Sequence, residues 1–166
     1  MALLEILHYP DERLKLKAKE VVEFNPELKQ LIADMAETMY KFNGIGLAAT
    51  QVNIQKRIFI TDLAKEGEPS KLTAYINPVI TMKQGEETGD EGCLSVPGIF
   101  EPVTRAEVIT LEYQDVDGNK QSVTCDELQA VCIQHELDHL DGKVFVEYLS
   151  NLKQNFIKKK MKKLFK

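Results

Sequence analysis

Between positions 26 and 43 the apolar residues Leu28, Leu31, Ile32, Met35, Met39 and Phe42 recur at helical spacing. Asn25-Pro26-Glu27 before them is a helix start: a capping side chain, a proline in the first turn, and an acid at the positive end of the dipole. Asn43-Gly44 is a stop. The pattern then changes. Lys56 to Asp62 contains the run Ile58-Phe59-Ile60, which suits a buried strand, and Leu72–Val79 and Glu107–Tyr113 also read as strands. Asp117-Gly118-Asn119 is a turn that joins strands 107–115 and 120–124 into a hairpin. A second helix is predicted from a cap at Asp126 through Leu128, Val131, Cys132, His135 and His139, ending near Asp141-Gly142. After the short apolar stretch Val144–Leu149, a last amphipathic helix sets Leu152, Phe156, Ile157, Met161, Leu164 and Phe165 against lysines. Strands mixed with separated helices predict an α+β fold.

The chain has 166 residues, of which 43% are hydrophobic and 28% charged. This is the size of one domain, large enough to bury a core without disulfide staples. No repeat or linker interrupts it, so one domain is expected over 1–166. No apolar run approaches the ~20 residues of a membrane helix. The N-terminus lacks a basic start, and Glu5 breaks its apolar stretch, so it does not read as a signal peptide. Three cysteines do not form a disulfide framework, which points to a reducing, cytoplasmic setting. The formal charge of −5 is uneven: residues 153–166 carry seven lysines and no acid, leaving −12 on residues 1–152. Such a tail is either a solvated helix face or a contact for a polyanion.

Candidate chemistry centres on Gln134-His135-Glu136-Leu137-Asp138-His139. Two histidines four residues apart lie on one helix face and can grip one metal ion, with the glutamate between them placed to work on water at that ion. The chain has three histidines and two of them fall here. Leu137 and Leu140 flank the motif and imply burial, and buried histidines need partners. A catalytic site needs a third protein ligand and an open position. Cys132 is on the same face, but its seven-residue separation from His139 puts it ~10 Å away along the axis. Cys93, in the turn Glu91-Gly92-Cys93, is free to approach from another element. Spacing alone leaves it open whether Cys93 is a ligand or a small buried hydrophobe. One thiolate and two imidazoles suit zinc and Fe(II) about equally.

Gly44-Ile45-Gly46 lacks the third glycine of a dinucleotide fingerprint and does not follow a clear strand. It reads instead as a helix stop leading into a tightly packed strand, Leu47-Ala48-Ala49. Gln51, the conspicuous polar residue beyond it, can donate an amide N–H to a developing oxyanion.

Taken together, Gly44-Ile45-Gly46-Leu47-Ala48-Ala49-Thr50-Gln51, Glu91-Gly92-Cys93-Leu94-Ser95 and Gln134-His135-Glu136-Leu137-Asp138-His139 resemble, in order and spacing, the three signature motifs of peptide deformylases. The resemblance runs from His8-Tyr9-Pro10-Asp11 to Gly142-Lys143-Val144-Phe145. The loop Gly98-Ile99-Phe100 lacks the arginine that some members carry there. The resemblance implies mainly antiparallel sheets packed around the HExxH helix, with a C-terminal helix over 150–166. It implies hydrolytic removal of the formyl group from N-formylmethionine on nascent polypeptides. It implies one divalent ion, Fe(II) natively with zinc, nickel or cobalt as substitutes, held by Cys93, His135 and His139. Glu136 is implied as general base and acid, and Gln51 and the Leu94 N–H as oxyanion donors. Backbone groups of Ile45 and Gly46 would pair with an extended substrate, and Ile45, Leu128, Val131 and Cys132 would line the methionine pocket. Arg105 is expected to pair with Glu91 behind the cysteine turn. The lysine-rich helix would dock a monomer on ribosomal RNA. Two other readings differ in their ligands. A zinc peptidase would take its third ligand downstream, at Asp141 or Glu147, and a structural zinc module would recruit Cys125 or Cys132 as a fourth.

Overall fold

A computed structural model describes residues 3–165. Helix α1 spans Pro26–Lys41; the Asn25 side chain accepts from the Leu28 N–H at 3.0 Å, as the cap signal implied. Leu28, Ile32, Met35 and Met39 are buried, and the helix ends as Asn43 enters the left-handed region at φ 59°. Seven strands follow: β1 (Gly46–Ala48), β2 (Ile58–Thr61), β3 (Thr73–Gln84), β4 (Glu87–Cys93), β5 (Val96–Arg105), β6 (Val108–Gln114) and β7 (Lys120–Cys125). Helix α2 spans Glu127–Leu140 and α3 spans Asn151–Leu164. Three 3-10 turns, at Glu12–Lys15, Ala49–Val52 and Phe145–Tyr148, complete the described elements.

Strands β1-β2-β3-β6-β7 form one sheet in that order and β4-β5 a second, and the strand pairs in both are antiparallel. The expected α+β class and the predicted β6–β7 hairpin are both present, Gln114 lying opposite Lys120 across the turn. The β4–β5 hairpin was not foreseen: its β4 half, Glu-Thr-Gly-Asp-Glu-Gly-Cys, has polar residues and glycines where strands usually carry β-branched or aromatic ones. The hairpin presents the cysteine turn at its tip.

Helix α2 is the centre of the molecule. Ala130, Ile133 and Leu140 pack with Phe59, Tyr75, Ile109 and Leu111 of the large sheet. Helix α1 covers another part of that sheet through Met35, Met39, Leu47, Ile58 and Ile60. A third cluster joins Leu7, Tyr9, Val96, Val103, Phe145, Ile157 and Met161, and this is where α3 is anchored.

Two local expectations are corrected. Asp126 precedes α2, but its side chain makes no cap bond. Glu127 adopts φ 51°, so the chain enters the helix through a left-handed residue rather than the extended-to-helical step that aims a capping carboxylate at the first N–H groups. On α3 only Ile157 and Met161 are buried; Leu152 and Phe156 are 82% and 64% exposed. Its docking surface is narrow, one ridge against the N-terminal segment and the turn at Phe145–Tyr148.

Candidate active site

Because α2 is fully packed, the residues of its motif are buried although polar: His135, Glu136 and His139 are all under 9% exposed. The four-residue spacing stacks the imidazoles on one face, with His135 Nε2 and His139 Nε2 3.2 Å apart. The β4–β5 hairpin lays its tip over that face, and Cys93 Sγ comes within 3.3 Å of His139 Nε2. The three donor atoms lie within 4.8 Å of one another, the one group of metal-ligand type among the described residues. Two nitrogens bound tetrahedrally to one ion at 2.0–2.1 Å stand about 3.3 Å apart. The spacing and the donor set, one thiolate and two imidazoles, therefore fit one tetrahedral ion with a place left open. Cys125 and Cys132 remain outside the group. Asp141 instead pairs with Arg57 at 2.9 Å, and Glu147 accepts from the Val144 N–H. The ligand sets needed for a structural zinc module or a zinc peptidase are thus not assembled.

Gln51 reaches the same place from the 3-10 turn Ala49–Val52. Its Oε1 accepts from the Ala48 N–H at 3.0 Å, which orients the amide so that Nε2 donates to Ser95 Oγ at 3.0 Å and to Cys93 Sγ at 3.3 Å. The N-terminal segment straps both turns. The Leu7 N–H donates to the Gln51 carbonyl at 2.7 Å and the Tyr9 N–H to the Ser95 carbonyl at 2.8 Å. Gly46 lets β1 lie directly on α2, because a Cβ there would strike the Glu136 carboxylate and Cys132 Sγ.

The site opens into a cavity of about 450 Å³. Ile45, Gly46, Leu128, Val131 and Cys132, the residues implied for substrate, all line it, as do Gln51, Cys93, Leu94, His135 and Glu136. A larger, shallower concavity of about 760 Å³ lies on the far side of Arg105 and Asp138, contains none of the three donors, and has charges that pair across it, such as Arg57 with Asp141.

A profile of the polypeptide deformylase family matches residues 3–155. The peptide deformylase of Chromobacterium violaceum is 55% identical over 163 residues, covering 98% of this chain and 96% of that protein, and that of Nitrosococcus oceani is 52% identical over the same spans. The chain belongs to the polypeptide deformylase family. Among solved structures, the peptide deformylase of Legionella pneumophila superposes with a TM-score of 0.92 at 41% identity, covering 98% of this chain and 95% of that one. The Ehrlichia chaffeensis peptide deformylase in complex with actinonin superposes with a TM-score of 0.95 at 39% identity, covering 100% and 99%.

Behind the donors of this deformylase stands a charged network. Arg105, 5% exposed at its side chain, donates from Nε and Nη2 to the two oxygens of Glu91 at 2.7 and 2.8 Å, the pair expected from sequence. Its Nη1 donates to Asp138 Oδ2 at 2.7 Å. Glu91 Oε1 lies 2.9 Å from His135 Nδ1, a carboxylate–histidine link that orients the ring and leaves Nε2 for the site. Tyr148 donates to the same Asp138 oxygen at 2.7 Å, and Arg105 lies over its ring. Ser95, Asp138 and Tyr148 escaped the sequence reading as site-shaping residues. Ser95 and Asp138 sit inside the motifs, but Tyr148 carries no local signal.

Burial shapes the electrostatics. It works to raise the Glu91 carboxyl, but the Arg105 and His135 hydrogen bonds outweigh it and hold the group down at about 2. Burial works to lower His135, yet the Cys93 and Glu91 contacts keep it well above the ordinary histidine value. Burial and then the nearby His135 drive His139 well below it. One imidazole charged and the other neutral is what two facing nitrogens at 3.2 Å demand in the absence of an ion, since only one can carry the shared proton. Burial raises Glu136 to about 7, and its Oε1 has no hydrogen-bond partner although buried. Burial, then Glu136, also raises the Cys132 thiol well above its usual range, so it stays neutral as a pocket wall.

Proposed function

We infer that this enzyme hydrolyses the formamide at the N-terminus of N-formylmethionyl polypeptides, releasing formate. Family membership supports the reaction. The observation that carries the assignment of roles is the meeting of Cys93 Sγ, His135 Nε2 and His139 Nε2 beside an unpartnered Glu136 carboxylate and the Gln51 amide, at the base of a largely apolar pocket. Cys93, His135 and His139 hold the divalent ion, which when bound supplies Lewis acidity, making water acidic enough to ionise near neutral pH and polarising the carbonyl.

The chain's own groups then do the following. Backbone groups of Ile45 and Gly46, at the outer edge of β1, take the peptide as an added strand. Ile45, Leu128, Val131 and Cys132 enclose the methionine side chain and so place the formyl carbon at the site. Glu136 removes a proton from the attacking water. As the carbonyl oxygen gains charge, Gln51 turns toward it the N–H that otherwise reaches Cys93, while its other N–H stays on Ser95, and the Leu94 N–H is the second donor. When the C–N bond breaks, Glu136 returns the proton to the departing amine, and its burial keeps it poised to take and give that proton near neutrality.

Several finer points belong to the same proposal. The resident ion is Fe(II), with zinc, nickel or cobalt able to replace it; the soft thiolate beside two imidazoles supports this set without separating its members. Residues 1–166 act as one domain and as a monomer in the cytoplasm, and no described helix is long and apolar enough to cross a membrane. The lysines of α3, beside the exposed Leu152 and Phe156, dock on the ribosome. The test of the core proposal is anaerobic hydrolysis of a formyl-Met peptide by Fe(II)-loaded protein with formate as readout. Rapid release, abolished by a chelator, is expected. Folded, metal-loaded protein that releases none would overturn it.

A further inference from the structure

The mouth of the active-site cavity carries more exposed apolar surface than holding methionine requires. Phe42 at the end of α1, Phe100 on β5 and Leu128 on α2 all line it, and they are 48%, 69% and 55% exposed. They come from three different elements, so no single helix or strand pattern accounts for their meeting. The Phe100 ring is also held in place. It rests where a side chain at Gly92 would stand, since a Cβ there would strike the Phe100 ring. Gly92 directly precedes Cys93, so the ring is anchored one residue from the site.

The charges at the mouth point the same way. Asp90, Glu91 and Glu136 line the cavity, and no lysine or arginine does. Glu91 is neutralised by Arg105 behind it, whereas Asp90 is exposed and stands at the opening.

An extended peptide advances about 3.3 Å per residue, so the first two residues after methionine pass within about 7 Å of it and must cross this rim. We propose that Phe100, with Phe42 and Leu128, forms a specificity subsite that favours an apolar side chain at one of the two positions after formylmethionine, and that Asp90 disfavours an acidic one there. This rests on the deformylase reading above. Apolar contact of about 40–55 Å² corresponds to a preference of about five- to tenfold in kcat/KM.

The test uses full-length Fe(II)-loaded protein under anaerobic conditions. Formate release is measured from formyl-Met-Xaa-Ser and formyl-Met-Ser-Xaa peptides with Xaa leucine, phenylalanine, serine or aspartate. Leucine and phenylalanine should exceed serine at one of the two positions, with aspartate below serine. Phe100→Ser should bring the leucine-to-serine ratio close to one, Phe100→Leu should keep most of it, and Asp90→Asn should raise aspartate relative to serine. Thermal melts of each variant show whether it is folded, and Phe100→Leu preserves an apolar cover for Gly92. A wild-type ratio near one at both positions, or a ratio unmoved by Phe100→Ser, would overturn the subsite. Formate from none of the peptides would overturn the deformylase reading and the subsite with it.

Discussion

Replacing Arg105 with alanine tests the network that holds the site together. The guanidinium makes three charge-assisted bonds of 2.7–2.8 Å, two to Glu91 and one to Asp138, with 5% of its side chain exposed. Without it the Glu91 carboxylate, 6% exposed, keeps only His135 as a partner. Breaking such a buried pair from one side costs about 3–5 kcal/mol. In a chain of this size each kcal/mol moves the melting temperature by about 2–4 °C, so Arg105→Ala should melt about 6–20 °C lower at pH 7. A circular-dichroism melt reads this directly, and a fall of less than about 3 °C would refute the reasoning. The sign with pH is also set. Glu91 is held down at about 2 from an ordinary 4.5, so its stabilising contribution is complete above 4.5 and is lost as pH falls toward 2. Because Glu91 orients His135, metal affinity should also drop about 10–100-fold. The double variant Glu91→Leu with Arg105→Met removes both charges, so it should recover much of the stability while leaving metal affinity low. A double variant as unstable as Arg105→Ala would show that the lost packing, not the orphaned charge, was the cost.

Glu136→Gln should retain its metal, measured by elemental analysis, and lose about 10²–10⁴-fold in kcat; turnover close to wild type would remove Glu136 from the proton transfers. Tyr40 donates to Asp62 at 2.6 Å, the largest cause of the Asp62 carboxyl lying at about 2, with backbone N–H groups of Ala64 and Lys71 adding to it. Tyr40→Phe should therefore cost about 1–3 kcal/mol at pH 7. Since the Asp62 carboxylate is stabilised above its ordinary 3.8 and is neutralised as pH falls through about 2, the gap between wild type and variant should narrow over that window in acid melts, and a constant gap would refute the link. Changing Lys159, Lys160, Lys162 and Lys163 to alanine leaves the buried Ile157 and Met161 in place, so α3 should stay docked while ribosome binding in a sedimentation assay weakens and loses salt dependence; unchanged binding would remove α3 as the docking element.

What could be read from the chain was local. Periodicity and caps placed α1; a three-residue turn placed the β6–β7 hairpin; the four-residue spacing of His135 and His139 put two imidazoles on one face, because helix geometry alone guarantees it. The three motifs in order pointed to the family. The β4–β5 hairpin was invisible because its pairing is held by cross-strand partners and not by its own composition. Spacing could not choose between ligand and buried hydrophobe for Cys93, since the answer depends on where a hairpin distant in sequence lays its tip against α2. In the same way, the reach of Arg105 to Asp138, the support of that oxygen by Tyr148, and the gathering of Phe42, Phe100 and Leu128 at one rim join residues with no common period. The sequence by itself determined the elements and the pair of histidines, because those follow from hydrogen bonds and side-chain directions within a few residues. Only the tertiary structure decided the third donor, the charged support behind it and the shape of the entrance, because each is a contact between elements brought together by burying the apolar faces of α1, α2 and the sheets.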